Sequence, residues 1–223
     1  MYEHEDIQIS WTGHDGFRIK GTNSQNNQLT VYIDPYQLAS KYLNQNDADV
    51  VLITHDHFDH LSIDDLKQII NSNTSIVSAT ECVGKLTELK LKEVSGIKPG
   101  EKTTVKGLTI EAVPAYNTNK KFHPKSDEKV GFVLRMNQKR IYHAGDTDLI
   151  PEMESLDPDI ALVPVSGTYV MNAEEAANAV NELLRPKKLV IPMHYNAIVG
   201  TEEDAKKFKN LVNVCKVEIL SKD

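Results

Sequence analysis

Cysteine, long apolar runs and basic stripes are scarce or missing in the 223-residue sequence. Two scattered cysteines, Cys82 and Cys215, cannot form the disulfide framework of a small secreted domain, so we expect reduced thiols. No apolar run approaches the roughly 18 residues that span a bilayer, and no signal-peptide pattern is evident. We therefore expect a cytoplasmic protein without membrane contact. The net charge of −7 and the missing basic stripe argue against nucleic acid as a partner.

The order of the predicted elements indicates the fold class. Alternating or continuous apolar segments predict strands over 7–11, 16–19, 29–33, 49–54, 108–114, 130–136, 139–143, 159–163, 188–191 and 216–220. Helical spacing predicts helices over 62–71, 80–90, 172–184 and 201–211. Strands come first and strand–helix units follow, and this order is repeated once. The pattern predicts an α/β (α+β) fold, a four-layer αββα sandwich, in a single domain spanning residues 1–223.

The strongest chemical signal is a His-x-His-x-Asp-His motif directly after the apolar run 49–54. It consists of His55, His57, Asp59 and His60. Imidazole and carboxylate groups are the usual ligands of zinc and other divalent metals. Alternate residues of an extended segment project to the same side, so His55 and His57 can reach one ion. Asp59 and His60 follow a turn and can face a second ion. Burying these groups as an ordinary polar loop would leave costly unpaired atoms.

Two further segments fit the same purpose. Asp146 follows the predicted strand 139–143 after a glycine turn, and its two oxygens could bridge two ions. His194 follows the predicted strand 188–191. Either residue alone is more often an ordinary turn or structural residue. Because both follow apolar strands, as the first motif does, we expect all three segments to meet at one edge of the sandwich.

These segments resemble the metallo-β-lactamase superfamily, whose signature is His-x-His-x-Asp-His, and the resemblance covers nearly the whole chain. Trp-Thr-Gly-His at 11–14 and Ile-Asp-Pro at 33–35 are similar to motifs of one branch. That branch includes the L-ascorbate-6-phosphate lactonase-like proteins and other metal-dependent hydrolases. The resemblance implies the metallo-β-lactamase fold and a binuclear metal site.

The resemblance also implies roles for the residues that match the family's motifs. The first metal would be bound by His55 and His57, the second by Asp59, His60 and His194, and Asp146 would bridge the two. The candidate catalytic residues are Asp59, Asp146 and His14.

One position departs from the family's pattern. The family normally supplies a third histidine to the first metal after the strand that corresponds to 108–114, and Asn117 stands there. His123, six residues later, could replace it, and this is the alternative we favour. Asn117 could instead ligate weakly through its carbonyl oxygen, or the site could hold one firm and one labile ion.

Two residues of the branch motifs are expected near the site without being metal ligands. Asp34 is interpreted as an acceptor that orients a ligand histidine. For His14, substrate contact and structural hydrogen bonding remain open.

The resemblance and the ligand types predict a hydrolase that uses two divalent cations. Zinc is favoured, with Mn, Fe, Co or Ni as alternatives. Our hypothesis is that a metal-bound hydroxide attacks a small ester or lactone, a substrate class implied by the lactonase-like branch. The alternatives are a phosphodiesterase or nuclease, a phospholipase-type hydrolase of the same fold, and a non-enzymatic metal or ligand sensor. Homo-oligomerisation stays open.

Overall fold

Two seven-stranded β-sheets organise the chain, and the computed structural model describes residues 1–4 and 7–223. The first sheet contains, in spatial order, β1 (Tyr2–His4), β2 (Ile7–Gly13), β3 (Gly16–Thr22), β4 (Gln28–Ile33), β5 (Val50–Ile53), β6 (Ser75–Ala79) and β7 (Glu93–Ile97). The second contains β8 (Lys102–Val105), β9 (Leu108–Pro114), β10 (Val130–Met136), β11 (Lys139–His143), β12 (Ile160–Pro164), β13 (Leu189–Met193) and β14 (Lys216–Val217). In each sheet the first four strands are antiparallel and the last four are parallel. The same arrangement thus occurs twice, as predicted.

Four α-helices accompany the sheets: α1 (Ile63–Ile69), α2 (Val83–Leu86), α3 (Ala173–Asn178), which a π-helical segment extends over Ala179–Leu184, and α4 (Glu202–Leu211). Short 3-10 turns occur at Ser40–Tyr42, Thr80–Cys82, Thr87–Leu89, Lys125–Asp127 and Pro151–Ser155. Ser62 caps α1 by accepting a hydrogen bond from the Asp65 amide at 3.3 Å, as its sequence position predicts. Within the described ranges, each helix is too short or too polar to cross a bilayer.

The centre of the molecule is apolar. Strands β5, β12 and β13 are buried at every residue, which is the pattern of strands covered on both faces. One cluster of buried side chains draws residues from both sheets, including Val51 and Ile53 of β5 and Phe132 of β10. The predicted αββα sandwich is confirmed.

The predicted continuous helix over 80–90 is wrong. The segment forms a 3-10 turn, the four residues of α2 and a second 3-10 turn, and it ends at Lys90, whose φ is 52°. Gly84 lies in the middle of the segment, and glycine is unfavourable inside a helix. The Thr87 hydroxyl donates to the Gly84 carbonyl at 2.7 Å, which gives that oxygen a side-chain partner.

Strand prediction failed where polar residues interrupt the apolar pattern. The predicted strand 216–220 pairs only over Lys216–Val217. Strands β1, β6, β7 and β8 were not predicted from the sequence. Strand β6 is buried throughout but reads Ser-Ile-Val-Ser-Ala, so its two serines conceal the apolar run. Strand β8 carries charged or polar residues at three of four positions, and β7 interrupts its apolar residues with glutamate, serine and glycine, so pairing with neighbouring strands rather than local pattern defines both.

Candidate metal centre

Six of the eight histidines converge with aspartates at one edge of the two sheets. Three groups each bring one potential ligand atom per residue within 4.8 Å of the others: His55, His57 and His123; His14, Asp59, His60 and His194; and Asp15, His60, Asp146 and His194. The last two groups share His60 and His194, and the first is joined to them by His123, whose Nε2 lies 3.6 Å from Oδ2 of Asp146. All seven predicted metal ligands and all three predicted catalytic residues are therefore brought together. They follow the carboxyl ends of β5, β9, β11 and β13 and the turn between β2 and β3.

The first group has the spacing of a shared cation. Nε2 of His55 lies 3.0 Å from Nδ1 of His57, and Nε2 of His123 lies 3.4 Å from the same atom. Ligands placed tetrahedrally at zinc–nitrogen distances lie about 3.3 Å apart. Burial lowers the pKa of His123 to about 4 although it faces Asp146, so its ring is neutral and can ligate.

The Asn117 amide is occupied by hydrogen bonds that shape the loop after β9. Its Oδ1 accepts from the His123 amide at 3.2 Å, and its Nδ2 donates to the Tyr169 carbonyl at 2.8 Å. The backbone N–H of Asn117 also donates to the His123 carbonyl at 2.7 Å. Of the two ligands that the sequence left open, this geometry favours His123, with Asn117 holding it in place.

The third group, which contains His60, Asp146 and His194, presents ligand atoms that have no other partner. Nε2 of His60 and Nε2 of His194 each lie 3.3 Å from Oδ1 of Asp146. In the part of the chain that the structure describes, none of these three atoms has a hydrogen-bond partner. The opposite ring nitrogens are anchored, at 2.8 Å to Asp34 Oδ2 and at 2.9 Å to the Ser166 hydroxyl. Buried polar atoms without partners are costly unless a cation satisfies them, so this donor set fits a metal ion.

The electrostatic potential around His60 and His194 is strongly negative. Burial opposes protonation of His60, but Asp146, Asp34 and Asp15 outweigh it and raise the pKa of His60 to about 10. Burial is likewise outweighed at His194, where Asp146 and Asp15 raise the pKa to about 9. A field that favours imidazolium to this degree also favours a divalent cation at the same place.

Asp34 takes the position expected of an orienting acceptor. Besides the contact with His60, its Oδ1 accepts from the Thr54 amide at 2.9 Å and its Oδ2 accepts from the Thr54 hydroxyl. The same hydroxyl contacts Nδ1 of His55 at 3.0 Å. One carboxylate thereby fixes both the start of the histidine motif and the ring of His60.

The His14 side chain is buried beside Asp59 rather than exposed to solvent. It is 1 % exposed, and its Nε2 lies 2.9 Å from Oδ2 of Asp59. Its carbonyl accepts from Nε1 of Trp11 at 2.8 Å and from the His194 amide at 3.0 Å. Of the two roles left open by the sequence, these contacts favour structural hydrogen bonding.

Asp15 is a residue that the sequence reasoning missed. Its side chain is fully buried, and the described residues offer neither carboxylate oxygen a hydrogen-bond partner. Burial raises the pKa of this carboxyl well above its usual range; His194 opposes the shift and Asp146 adds to it. The buried ring of His143 donates to the Asp15 carbonyl at 2.9 Å and so holds the turn. Adjacency to His14 was the single cue in the sequence, because Asp15 belongs to no ligand spacing.

Gly145 permits the turn that delivers Asp146. Its φ is +62°, and a Cβ atom there would lie 2.9 Å from the Val130 carbonyl oxygen. Both facts favour glycine.

A cleft of about 510 Å³ opens onto the cluster, with His57, Asp59, His123 and Asp146 in its wall. A second depression of about 590 Å³ reaches His14 between Trp11, Tyr195 and residues 219–222. The first cleft gives access to members of all three groups: His57 and His123, Asp59, and Asp146.

Comparisons with known proteins identify similar chains. Residues 8–194 match the family model described as the β-lactamase superfamily domain. A UPF0173 metal-dependent hydrolase of Pyrococcus abyssi is 34 % identical over 218 residues, covering 92 % of each chain. One from Staphylothermus marinus is 35 % identical and covers 92 % of this chain and 90 % of its own. The structure of Igni18, a metallo hydrolase from Ignicoccus hospitalis, superimposes with a TM-score of 0.76 at 28 % identity, covering 96 % of this chain and 95 % of its own.

Proposed function

The chain belongs to the β-lactamase superfamily as a metal-dependent hydrolase, and from that premise we propose that it cleaves a small carboxylic ester or lactone with two divalent cations. Unpartnered, inward-facing ligand atoms beside an open cleft carry this proposal. A closed, fully satisfied cluster would suit a sensor or a structural site better than a hydrolase.

The proposed ligands divide between two cations. His55, His57 and His123 would hold the first, Asp59, His60 and His194 would hold the second, and Asp146 would contribute to both. Zinc is the favoured metal, and Mn, Fe, Co and Ni are alternatives. When bound, divalent cations acidify water and polarise the carbonyl group under attack.

The protein's own groups position these ligands and handle the proton. Asp34 and Ser166 bind the outer nitrogens of His60 and His194, which directs the other nitrogen of each ring inward. Asp59 lines the cleft and is 14 % exposed, so its carboxylate is our candidate proton acceptor. His14 acts on this carboxylate as a positioning residue through its 2.9 Å contact.

The charges around the cleft support an ester rather than a phosphodiester. Lys85 lines the cleft but lies 2.8 Å from Oδ2 of Asp56, and the buried Lys129 lies 2.9 Å from Oε1 of Glu81. A phosphodiester would gain most from lysines that carry no carboxylate partner. The cleft volume of about 510 Å³ falls in the range of roughly 300–1,000 Å³ that is typical of small-molecule sites.

A single domain over 1–223, a cytoplasmic location and homo-oligomerisation stay predictions.

The test combines metal content with an activity panel. Purified protein is analysed for metals and assayed on lactones, simple carboxylic esters and bis-p-nitrophenyl phosphate with Zn, Mn and Co. We expect two metal ions per chain and turnover of the esters or lactones. Turnover of bis-p-nitrophenyl phosphate, with no turnover of any ester or lactone, would contradict the proposal and favour a phosphodiesterase.

A variant pair sharpens the assignment. His57→Ala is expected to lose metal and to lower turnover at least about 100-fold, since it removes a direct ligand. Lys67→Ala, an exposed change on α1, is the control and is expected to alter neither quantity. Full metal content and wild-type turnover in His57→Ala would contradict the assignment.

A further inference from the structure

Three exposed apolar side chains line the cleft that opens onto the proposed metal ligands. Phe58, Phe122 and Ile198 line it and are 68 %, 51 % and 41 % exposed. They are three of the seven large hydrophobic side chains that are exposed in residues 1–4 and 7–223. Single exposed apolar residues need no explanation, but a group of them around one opening marks a binding surface.

We call Phe58, Phe122 and Ile198 the rim. Each of these residues is close in sequence to a proposed metal ligand. Phe58 directly follows His57, Phe122 directly precedes His123, and Ile198 lies four residues after His194. These three loops come from both sheets, and the ligands that anchor them are buried or half-buried. The rim therefore keeps a defined position relative to the reacting centre.

The rim is also ordered by ring contacts. The rings of Phe122 and Tyr169 meet edge to face with centroids 4.6 Å apart, and Tyr36 meets Phe58 in the same way at 5.9 Å. Such contacts hold exposed aromatic rings in place, which lowers the entropy lost when a ligand packs on them.

We propose that this rim binds an apolar alkyl or aryl substituent of the substrate, so that the enzyme prefers esters or lactones carrying such a group next to the scissile carbonyl. The inference rests on the proposed hydrolytic function and names its substrate class. A cleft that is concave and continuous with the ligand cluster suits a small molecule. Its one lysine, Lys85, is paired with Asp56, so the mouth offers apolar surface rather than unpaired positive charge.

Binding is tested separately from hydrolysis with straight-chain carboxylates from acetate to octanoate. These probes resemble the acid product and are titrated calorimetrically into the metal-loaded protein. We expect affinity to rise roughly twofold per added methylene, less than the about fourfold of complete burial, because the rim stays partly open to solvent. In parallel, γ-lactones that differ only in side-chain length are assayed for kcat/KM, with the same trend expected.

Variants identify the surface responsible. Phe58→Ser and Phe122→Ser are each expected to flatten the chain-length dependence, so that octanoate loses about tenfold in affinity and acetate changes little, because only the longer chain reaches the rim. Both side chains are exposed, so the fold should tolerate serine; circular dichroism and metal content verify this. Leu43→Ser, at a 45 % exposed leucine outside the cleft, is the matched control and should keep the wild-type dependence.

The outcomes separate this inference from the proposed function. Hydrolysis of esters or lactones without any chain-length dependence, in wild type and variants alike, overturns the apolar-rim inference and leaves the hydrolase. A chain-length dependence that the rim variants abolish, in a protein that hydrolyses none of the esters or lactones, supports the rim and overturns the proposed reaction. Loss of a dimer in the rim variants, with no change in carboxylate binding, assigns the rim to a second copy of the chain and overturns the inference.

Discussion

Replacing Asp15 with asparagine is expected to change stability and metal affinity in opposite directions. The Asp15 carboxylate is fully buried, and both its oxygens lie without a hydrogen-bond partner among residues whose positions are described. Nδ1 of His60 lies 3.9 Å away but is already bonded to Asp34. One atom each of Asp15, His60, Asp146 and His194 lie within 4.8 Å of one another, so this carboxylate contributes charge to the second proposed cation site.

The magnitudes follow from burial and charge. A buried group without a partner costs about 1–3 kcal/mol, and more when it is charged. Asparagine has nearly the same shape and also lacks partners, but it carries no charge. Burial raises the pKa of Asp15, so at neutral pH folding must either bury a charge or take up a proton; asparagine removes that cost, and we expect the metal-free protein to gain about 1–3 kcal/mol in free energy of unfolding. Removing a nearby anion should weaken cation binding about 10- to 100-fold, which corresponds to about 1.4–2.8 kcal/mol.

Two measurements on the same preparation test this expectation. Denaturant unfolding of chelator-treated protein gives the stability, and calorimetric titration with Zn²⁺ gives the affinity. Asp159→Asn is the matched control, because Oδ2 of that half-buried carboxylate accepts from the Arg140 amide at 2.8 Å, at the far end of β12. It should lose up to about 1 kcal/mol of stability and keep the wild-type metal affinity. A less stable Asp15→Asn protein with unchanged metal affinity would refute the reasoning and make Asp15 a structural residue.

Further substitutions probe the ligands and their supports. Asp34→Ala should lower metal affinity about 10- to 100-fold, since the 2.8 Å contact that orients His60 is lost; calorimetric titration measures this. His123→Ala should reduce the bound metal from two ions to one, read by elemental analysis, and two retained ions would exclude it as a ligand. Gly145→Ala should cost about 1–3 kcal/mol of stability, because alanine at φ +62° is strained and its Cβ would meet the Val130 carbonyl; an unchanged unfolding midpoint would contradict this. Chelation should lower the free energy of unfolding of the wild type by about 4 kcal/mol, if the free metal is at 1,000 times its Kd, and should therefore lower its thermal midpoint. Scanning calorimetry with and without chelator tests this.

The sequence predicted those features that local pattern determines. Strand β5 is a continuous apolar run, and the histidine motif follows it at a spacing that few other sites use, so both could be located. Strand β7 could not, because its pairing with β6 supplies what its own residues Glu93–Ile97 do not signal. Asp15 was missed for a related reason: its importance arises from residues that are distant in sequence and meet only after folding.

The choice between His123 and Asn117 shows the same limit. The sequence offers both within six residues, and the family's pattern points to the position of Asn117. Hydrogen bonds from the Asn117 amide to the Tyr169 carbonyl and from the His123 amide to Asn117 decide the local geometry. These contacts depend on a loop that packs against another loop, which no spacing in the sequence encodes.

The candidate site lies where the two sheets meet, and three of its residues have strained backbone. His14, Asp34 and His194 all have left-handed backbone, with φ of 53°, 42° and 59°. Each such residue costs of order 1–3 kcal/mol and persists only where surrounding structure fixes it. The His194 amide donates to the His14 carbonyl at 3.0 Å, which binds the turn of the first sheet to the end of β13 in the second.

Each proposed cation likewise takes ligands from both sheets. His55 and His57 of the first sheet meet His123 of the second, and His60 meets His194. Half of the chain could therefore supply neither complete ligand set. The repeated strand order places two strand-end clusters at one edge, and the strained turns that aim them are held by contacts across the junction between the sheets. The geometry of the proposed ligands is thus a property of sheet packing, which explains why short motifs indicated these ligands and Asp34 but not Asp15 or Ser166.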